Sequence, residues 1–408
     1  MASAGLKGIK TIRDFELADK VVFLRLDLNV PLDHGKITDE TRITASLPTI
    51  NYALEKGAKL VLASHLGRPK GPGDKACSLE PVATRLSELI GKEVILLEEP
   101  SSEAIKPLLT GLRKNQVILL ENLRFDPGET ENSEELAESL ASFTQIYIND
   151  AFGACHRAHA SIDALPKLIK QKGIGFLIEK EIQMLDQLMD KPQRPYLAIM
   201  GGSKVSDKIG VIESFMDKVD GFIIGGAMAY TFLKAKGIPV GKSRVETDKL
   251  NYTREMIQRL EVRGKTLLLP VDHMVTADIA SNKATATKDN VIPENMMGVD
   301  IGPQTLKLYS TAILEAETLF WNGPMGIFEN PVYATGTFGV AKAMADSKGM
   351  KIVGGGDSAA AAEASGYAGQ MTHISTGGGA SLEYLQGDRL PGLEVLRQKK
   401  QSEAVGSM

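Results

Sequence analysis

Short apolar runs alternate along this chain with helix-length segments, and that alternation confines it to a few architectures. In the first half the runs are residues 21–30, 60–63, 117–120 and 145–149. In the second they are 196–200, 221–224, 266–270, 318–321, 351–353 and 373–375. Strands separated by helices predict parallel sheets, because a parallel pair needs a crossover long enough to hold a helix. Residues 41–56 read as one such helix, closed by Gly57, with Pro48 expected to kink it or mark its true start. An amphipathic stretch at 177–189 leads to Lys191-Pro192-Gln193-Arg194-Pro195, where two prolines stop a helix and suit a hinge. At 408 residues the chain has material for two or three domains. The expected division is a first domain over 1–180, a helix and hinge over 181–195, a second domain over 196–390 and a short tail over 391–408.

The first run carries the densest chemistry. From Phe23 to Val30 apolar and polar residues alternate, with Arg25, Asp27 and Asn29 following Phe23 on one side, and Pro31 ends the run. The reading is a strand whose far end presents Asp27 and Asn29, where open α/β sheets bind ligands. The other first-half runs end in basic or imidazole residues: Ser64-His65-Leu66-Gly67-Arg68, Glu121-Asn122-Leu123-Arg124, and Asp150 followed by Cys155-His156-Arg157-Ala158-His159. Arg42 opens the helix after the first strand, and His34 lies just past that strand. A single loop arginine is usually solvated surface. Four arginines at the strand exits of one sheet converge on one rim and predict a pocket for a small, multiply charged anion, since a guanidinium grips carboxylate or phosphate through two parallel hydrogen bonds.

The second half is glycine-rich where the first is basic. Runs lead into Gly201-Gly202-Ser203-Lys204, Gly225-Gly226-Ala227, Gly354-Gly355-Gly356-Asp357-Ser358 and Thr376-Gly377-Gly378-Gly379, each expected to open a helix. One such turn serves tight packing as well as ligand binding, whereas four in one domain point to nucleotide phosphates held on backbone N–H groups. Lys204 and Lys208, four apart, are expected on one helix face beside a phosphate. Asp357 reads as a magnesium ligand or as a helix N-cap.

Other patterns are set aside. Residues 237–243 resemble a Walker A loop but have three residues between glycines instead of four and follow a helical run. Residues 354–359 match a permissive dinucleotide fingerprint, yet the ribose-binding acid is missing near Ser375. A net charge of −4 with a pI near 6.0 argues against a broad nucleic-acid face. Two cysteines, Cys77 and Cys155, fit a reducing compartment, and the absence of an apolar run of about 18 residues argues against membrane insertion. A cytoplasmic enzyme or binding protein is expected.

Seven motifs in one order carry a resemblance: residues 23–31, 64–69, 121–125, 150–159, 201–208, 321–329 and 354–358. On these the chain resembles phosphoglycerate kinase from near its start almost to its end. Ser358 stands where that family often has threonine, and the hydroxyl is kept. The resemblance implies two Rossmann-like domains with parallel sheets, joined by a helix and hinge with a cleft between them, and a tail returning to the first domain. It also implies a monomer. Its substrates would be 3-phosphoglycerate or 1,3-bisphosphoglycerate with ATP or ADP, and Mg2+ would be required. Asp27, Asn29, Arg42, His65, Arg68, Arg124 and Arg157 fall on the substrate side of the resemblance. Gly201, Lys208, Gly225, Asn322, Pro324, Glu329, Gly355, Gly356, Asp357 and Ser358 fall on the nucleotide side, with Glu329 on the ribose and Asp357 near the metal.

A carboxylate acceptor is already ionised near pH 7, so the implied reaction needs no general base. Positioning and electrostatics should suffice. Arg42, Lys204 and Lys208 are expected to hold the charge in transfer, supported by helix N-termini at Gly201-Gly202 and Gly377-Gly378. Two rival classes lack their signatures: a dinucleotide-dependent oxidoreductase would need the missing acid, and an exported solute-binding protein would carry an apolar leader, absent before Phe15.

Overall fold

The structure is a computed structural model that describes residues 5–99, 105–114 and 116–398. By contact the chain divides into two units, residues 5–183 with 389–398, and residues 184–388.

The first unit is built on a six-stranded sheet: β1 (Val21–Leu26), β2 (Lys59–Ala63), β3 (Glu93–Leu97), β4 (Gln116–Leu120), β5 (Ile146–Asp150) and β6 (Gln171–Ile174). All its pairings are parallel, in the order β3-β4-β2-β1-β5-β6. Parallel sheets are covered by helices on both faces, so their strands are apolar throughout. That corrects the expectation for the first run. The strand stops at Leu26, Phe23 and Leu24 on opposite faces are both fully buried, and so is Arg25. Val22, Leu24 and Leu26 pack with Leu60, Leu62 and Ile148 and with Ile43 and Ile50 of helix α1 (Thr41–Glu55). On the other face Phe23 stacks on Tyr147, centroids 6.0 Å apart. Pro48 lies inside α1 instead of marking its start. Strands β3 and β6, at the sheet edges, are absent from the sequence reading.

Helix α2 (Phe176–Asp190) follows β6, and the division between the units falls inside it. Its first turn is held from below. Asp150 Oδ1, at the end of β5, accepts from the backbone N–H of Leu177 and Ile178 at 2.9 and 3.1 Å, and Thr49 Oγ1 accepts from that of Phe176 at 3.0 Å. Burial pushes the Asp150 carboxyl up to about 7, against the pull of Thr49 and these N–H groups. An acid whose pKa is raised on folding stabilises the fold fully below its unfolded pKa, and that contribution is lost as pH climbs through the folded value. Asp150→Asn removes the titration, so its melting temperature relative to the wild type should rise between about pH 4 and pH 7 and level off above. A difference that stays flat across that range, measured by calorimetry, would refute the assignment. Near the chain's other end, Gly392 N–H donates to Cys155 O at 2.9 Å and Gln398 N–H to Gly8 O at 2.8 Å.

The second unit has its own parallel sheet: β7 (Tyr196–Met200), β8 (Gly221–Ile224), β9 (Thr266–Leu268), β13 (Thr318–Asn322), β14 (Met350–Val353) and β15 (His373–Ile374), ordered β9-β8-β7-β13-β14-β15. Between β9 and β13 lies a three-stranded antiparallel sheet of β10 (His273–Thr276), β11 (Thr285–Ala286) and β12 (Met297–Ile301), which the sequence reading missed. Its helices include α3 (Ile209–Phe215), α4 (Met228–Ala235), α5 (Pro303–Glu315), α6 (Thr335–Asp346), α7 (Gly356–Ala364) and α8 (Gly379–Gln386). Counting only the strands of its parallel sheet, the order is that of dinucleotide-binding sheets, with the reversal between β7 and β13. In the first unit the reversal falls between β1 and β5. Among the described residues no helix is long and apolar enough to cross a membrane.

Candidate functional site

In the first unit the exits of β1, β2, β4 and β5 carry the polar residues picked out by sequence. Asp27, 7% exposed, accepts from Arg42 Nη1 at 2.6 Å. Asn29 Oδ1 accepts from Gly67 N–H at 2.8 Å, and Arg124 Nη1 donates to Gly67 O at 2.6 Å. The loop carrying Arg68 is thus clamped from two other strand exits. Arg68, Arg124 and Arg157, joined by Lys70 and His159, line a cavity of about 410 Å³. Arg42 and His65 stand outside that lining, Arg42 on Asp27 and His65 buried behind.

The electrostatics of this cluster are one-sided. Burial first, then the guanidiniums of Arg25, Arg124, Arg42 and Arg157, hold His65 well below the usual imidazole pKa. His65 is therefore neutral, and with Nδ1 3.2 Å from Arg25 Nη2 its ring proton belongs on Nε2. His159 is pushed down to about 4 by burial and by Arg124, Arg25 and Arg157. Arg124 itself is lowered, by burial and then by Arg157 and Arg25, and its Nε is buried without a partner. Among the described residues no carboxylate pairs with Arg68, Arg124 or Arg157. Glu129 is taken up behind the cavity, accepting from Ser161 N–H at 2.9 Å and Ser161 Oγ at 2.7 Å. Three guanidiniums without a carboxylate, Arg124 half-buried and Arg68 and Arg157 exposed beside it, make a site for a multivalent anion.

Arg25 departs most from the sequence reading. It faces the interior, donating from Nε to Ser161 Oγ at 2.8 Å, with Nη2 3.9 Å from Glu129. Its position in an apolar strand of a parallel sheet was a usable signal. Lys70 was also passed over, although it adjoins a quoted motif, and His159, counted among the imidazoles at the strand ends, was given no role of its own. Nothing local to Glu129 or Ser161 marks them.

In the second unit the glycine turns gather where β7 and β13 end. Two cavities of about 250 and 540 Å³ share Gly202, Ser203 and Asp357. The smaller is lined by Lys204, Lys208, Asn322, the Gly355–Ser358 loop and Gly378. The larger is lined by Gly226, Tyr230, Gly298, Pro324, Met325 and Glu329, among others. Lys208 Nζ donates to Asn322 Oδ1, and burial lowers its pKa against the pull of Asp357 and Asp207. A half-buried ammonium with no ion pair among the described residues has its desolvation offset when a phosphate binds.

The turns differ in detail from expectation. Gly201 N–H donates to Asn322 O, Gly202 N–H to Pro324 O, Gly225 N–H to Met200 O and Gly226 N–H to Met325 O. Those N–H groups hold strands and loops together, so they offer nothing to an anion. Glycine is required there by close approach: a Cβ on Gly201 would lie 2.2 Å from Pro324 O. Gly201-Gly202 also opens no helix directly, since a 3-10 turn at Ser206–Lys208 precedes α3 and leaves Lys204 off the helix face assigned to it. Gly377 N–H bonds Ser375 Oγ at 3.2 Å. Helices α7 and α8 do start as predicted, with Gly355 and Gly378 at their N-caps, and their first-turn N–H groups lack helical acceptors. Asp357 stands in the first turn of α7, exposed, and caps nothing. Glu246, absent from the sequence reading, holds the approach to α3 by accepting from Val205 and Ser206 N–H.

The family model described as phosphoglycerate kinase matches residues 12–388. A phosphoglycerate kinase of Bdellovibrio bacteriovorus is 69% identical across 97% of this chain and 99% of its own length. One from Anaeromyxobacter dehalogenans is 51% identical across 96% of this chain and its own full length. Among solved structures, phosphoglycerate kinase from Coxiella burnetii superposes with a TM-score of 0.86 at 39% identity, covering 95% of this chain and 98% of that one. That from Pyrococcus horikoshii gives 0.83 at 33% identity, with the same coverage of each.

Proposed function

The chain belongs to the phosphoglycerate kinase family, and on that footing we propose that the arginine cluster of the first unit binds 3-phosphoglycerate and the paired cavities of the second bind ADP or ATP. The enzyme is a kinase: it transfers a phosphoryl group reversibly between 1,3-bisphosphoglycerate and ADP, giving 3-phosphoglycerate and ATP in glycolysis. The observation that carries the site reading is the convergence of Arg68, Arg124 and Arg157 on one cavity without a carboxylate among them.

Arg124 and Arg157 grip the acid's phosphate, and Asn29, whose side-chain NH2 has no partner among the described residues, binds a hydroxyl together with Asp27. Neutral His65 donates from Nε2 toward the same ligand. Arg42, oriented by Asp27, and Lys208, oriented by Asn322, meet the phosphoryl group in transfer, with Lys204 beside it. The first turns of α7 and α8, at Gly355, Gly356, Ser358 and Gly378, receive nucleotide phosphates, with Gly201, Gly225 and Pro324 shaping the wall behind. The larger cavity takes the nucleoside, with Glu329 on the ribose.

No cluster of three or more acidic, His or Cys side chains suited to a metal occurs among the described residues. Magnesium carried in on nucleotide phosphates needs only one or two protein carboxylates, and exposed Asp357 at the phosphate cavity fits that demand. When bound, the ion neutralises phosphate charge. Reaction between ligands held on different units further implies hinge-bending that brings the reacting atoms to about 3–3.5 Å. A cytoplasmic monomer acting on small molecules, without nucleic acid, completes the reading.

Asp357→Asn should weaken binding of ADP with magnesium about tenfold, the loss of one carboxylate–metal contact, and leave 3-phosphoglycerate affinity unchanged. Calorimetry with each ligand separately checks this. Equal loss for both ligands would mark Asp357 as a folding residue.

A further inference from the structure

We propose that Asp300 and Thr337, which line neither cavity, are positioning residues that set the loop carrying Met325, Gly326 and Glu329 and thereby the affinity for the nucleoside. This rests on the reading of the larger cavity as the nucleoside pocket.

Asp300 lies in β12 one residue beyond Val299, which lines that cavity, and is 1% exposed. Its Oδ1 accepts from Ile301 N–H at 2.9 Å and its Oδ2 from Gly336 N–H at 2.6 Å, in the first turn of α6. The carboxylate is wedged between two backbones: a Cβ on Gly326 or on Gly336 would lie 2.4 or 2.3 Å from Oδ1. Thr337, the next residue and fully buried, accepts through Oγ1 from Met325 N–H at 3.0 Å and Gly326 N–H at 3.2 Å. Ile327 N–H closes the loop onto β12 by donating to Val299 O at 2.9 Å.

Three elements are thus tied at one point behind the pocket wall. Asp300 fixes the start of α6 against β12, and Thr337 carries that position to two consecutive N–H groups of the loop. The loop in turn reaches across to the glycine turns, since Gly226 N–H donates to Met325 O and Gly202 N–H to Pro324 O. A shift of α6 moves the wall on which the nucleoside rests and the turn before Glu329.

Asp300→Asn replaces one acceptor oxygen with an NH2 that opposes a backbone N–H. Thr337→Val keeps the shape and strands two N–H groups, and Thr337→Ser keeps the acceptor. Calorimetry with ADP, and separately with 3-phosphoglycerate, should show ADP affinity lowered about tenfold in D300N and T337V, the size of one or two ordinary hydrogen bonds lost. Affinity for 3-phosphoglycerate should stay within about twofold in each, and T337S should bind ADP within about threefold of the wild type. In turnover, KM for ADP should rise more than kcat falls. Glu329→Ala is the companion variant, expected to weaken ADP severalfold through its own lost contact. Wild-type ADP affinity in D300N and T337V, with E329A weakened, would overturn the positioning role alone. So would equal loss of both ligands, or T337S as weak as T337V. Wild-type affinity in E329A would overturn the nucleoside reading and this inference with it.

Discussion

Arg42→Ala lowers kcat on the order of 10²–10³-fold, the usual effect of removing one donor from charge in transfer, while KM for the nucleotide changes little. Arg42 sits at the start of α1 with Nη1 2.6 Å from Asp27, itself only 7% exposed, so the guanidinium is aimed before any ligand arrives. Such preorganisation makes a donor effective on developing charge, since nothing has to reorient during the reaction. Asp27→Asn keeps an acceptor oxygen and removes the charge that fixes Arg42, so a smaller fall is expected. Lys208→Ala should match Arg42→Ala in kcat and add a loss of nucleotide affinity, because Lys208 lines the smaller cavity of the second unit, where the nucleotide phosphates are proposed to bind. Steady-state assay of ATP formation from 1,3-bisphosphoglycerate checks all three. Near-normal turnover in Arg42→Ala removes that residue from the catalytic set.

Glu129→Ala destabilises the protein by about 3–5 kcal/mol, because it leaves a buried guanidinium without its carboxylate. Arg25 and Glu129 are both fully buried, 3.9 Å apart, and joined through Ser161, which receives the Nε bond of Arg25 and donates from its own hydroxyl and N–H to Glu129. At about 2–4 °C per kcal/mol for a unit of this size, the melting temperature should fall by roughly 6–20 °C. Glu129→Gln retains an acceptor for Ser161 and should lose less. Scanning calorimetry of the two variants decides the matter, and a fall below about 2 °C for Glu129→Ala would mean that Ser161 and the backbone satisfy Arg25 on their own. The same cluster orients His65 through Arg25 Nη2, so a weakened 3-phosphoglycerate site should accompany the loss.

Several strands of the second unit were legible almost to the residue. Residues 196–200 and 221–224 match β7 and β8 because a strand buried on both faces is an uninterrupted apolar run bounded by glycine, a signal contained in the segment itself. The first strand was read too long for a related reason. Leu28 is fully buried and Val30 nearly so, which sustains the alternation, but their backbone has left the ladder at Leu26. Strands β10 to β12 escaped because short antiparallel strands of mixed polarity leave no comparable run.

The sequence by itself determined the parallel α/β architecture, the rim of arginines at strand exits and the glycine turns, since each depends on neighbours within a few positions of the chain. Which strands became neighbours was decided only by the tertiary structure. Two sheets with the same local grammar adopt different orders, β3-β4-β2-β1-β5-β6 and β9-β8-β7-β13-β14-β15. Tertiary packing alone turned Arg25 inward to a partner 136 residues away, spent the N–H groups of Gly201, Gly202 and Gly226 on backbone carbonyls, and wedged Asp300 under a loop it does not adjoin in sequence. A buried polar group must be satisfied wherever a partner lies in space, and the local pattern of the chain carries no record of that address.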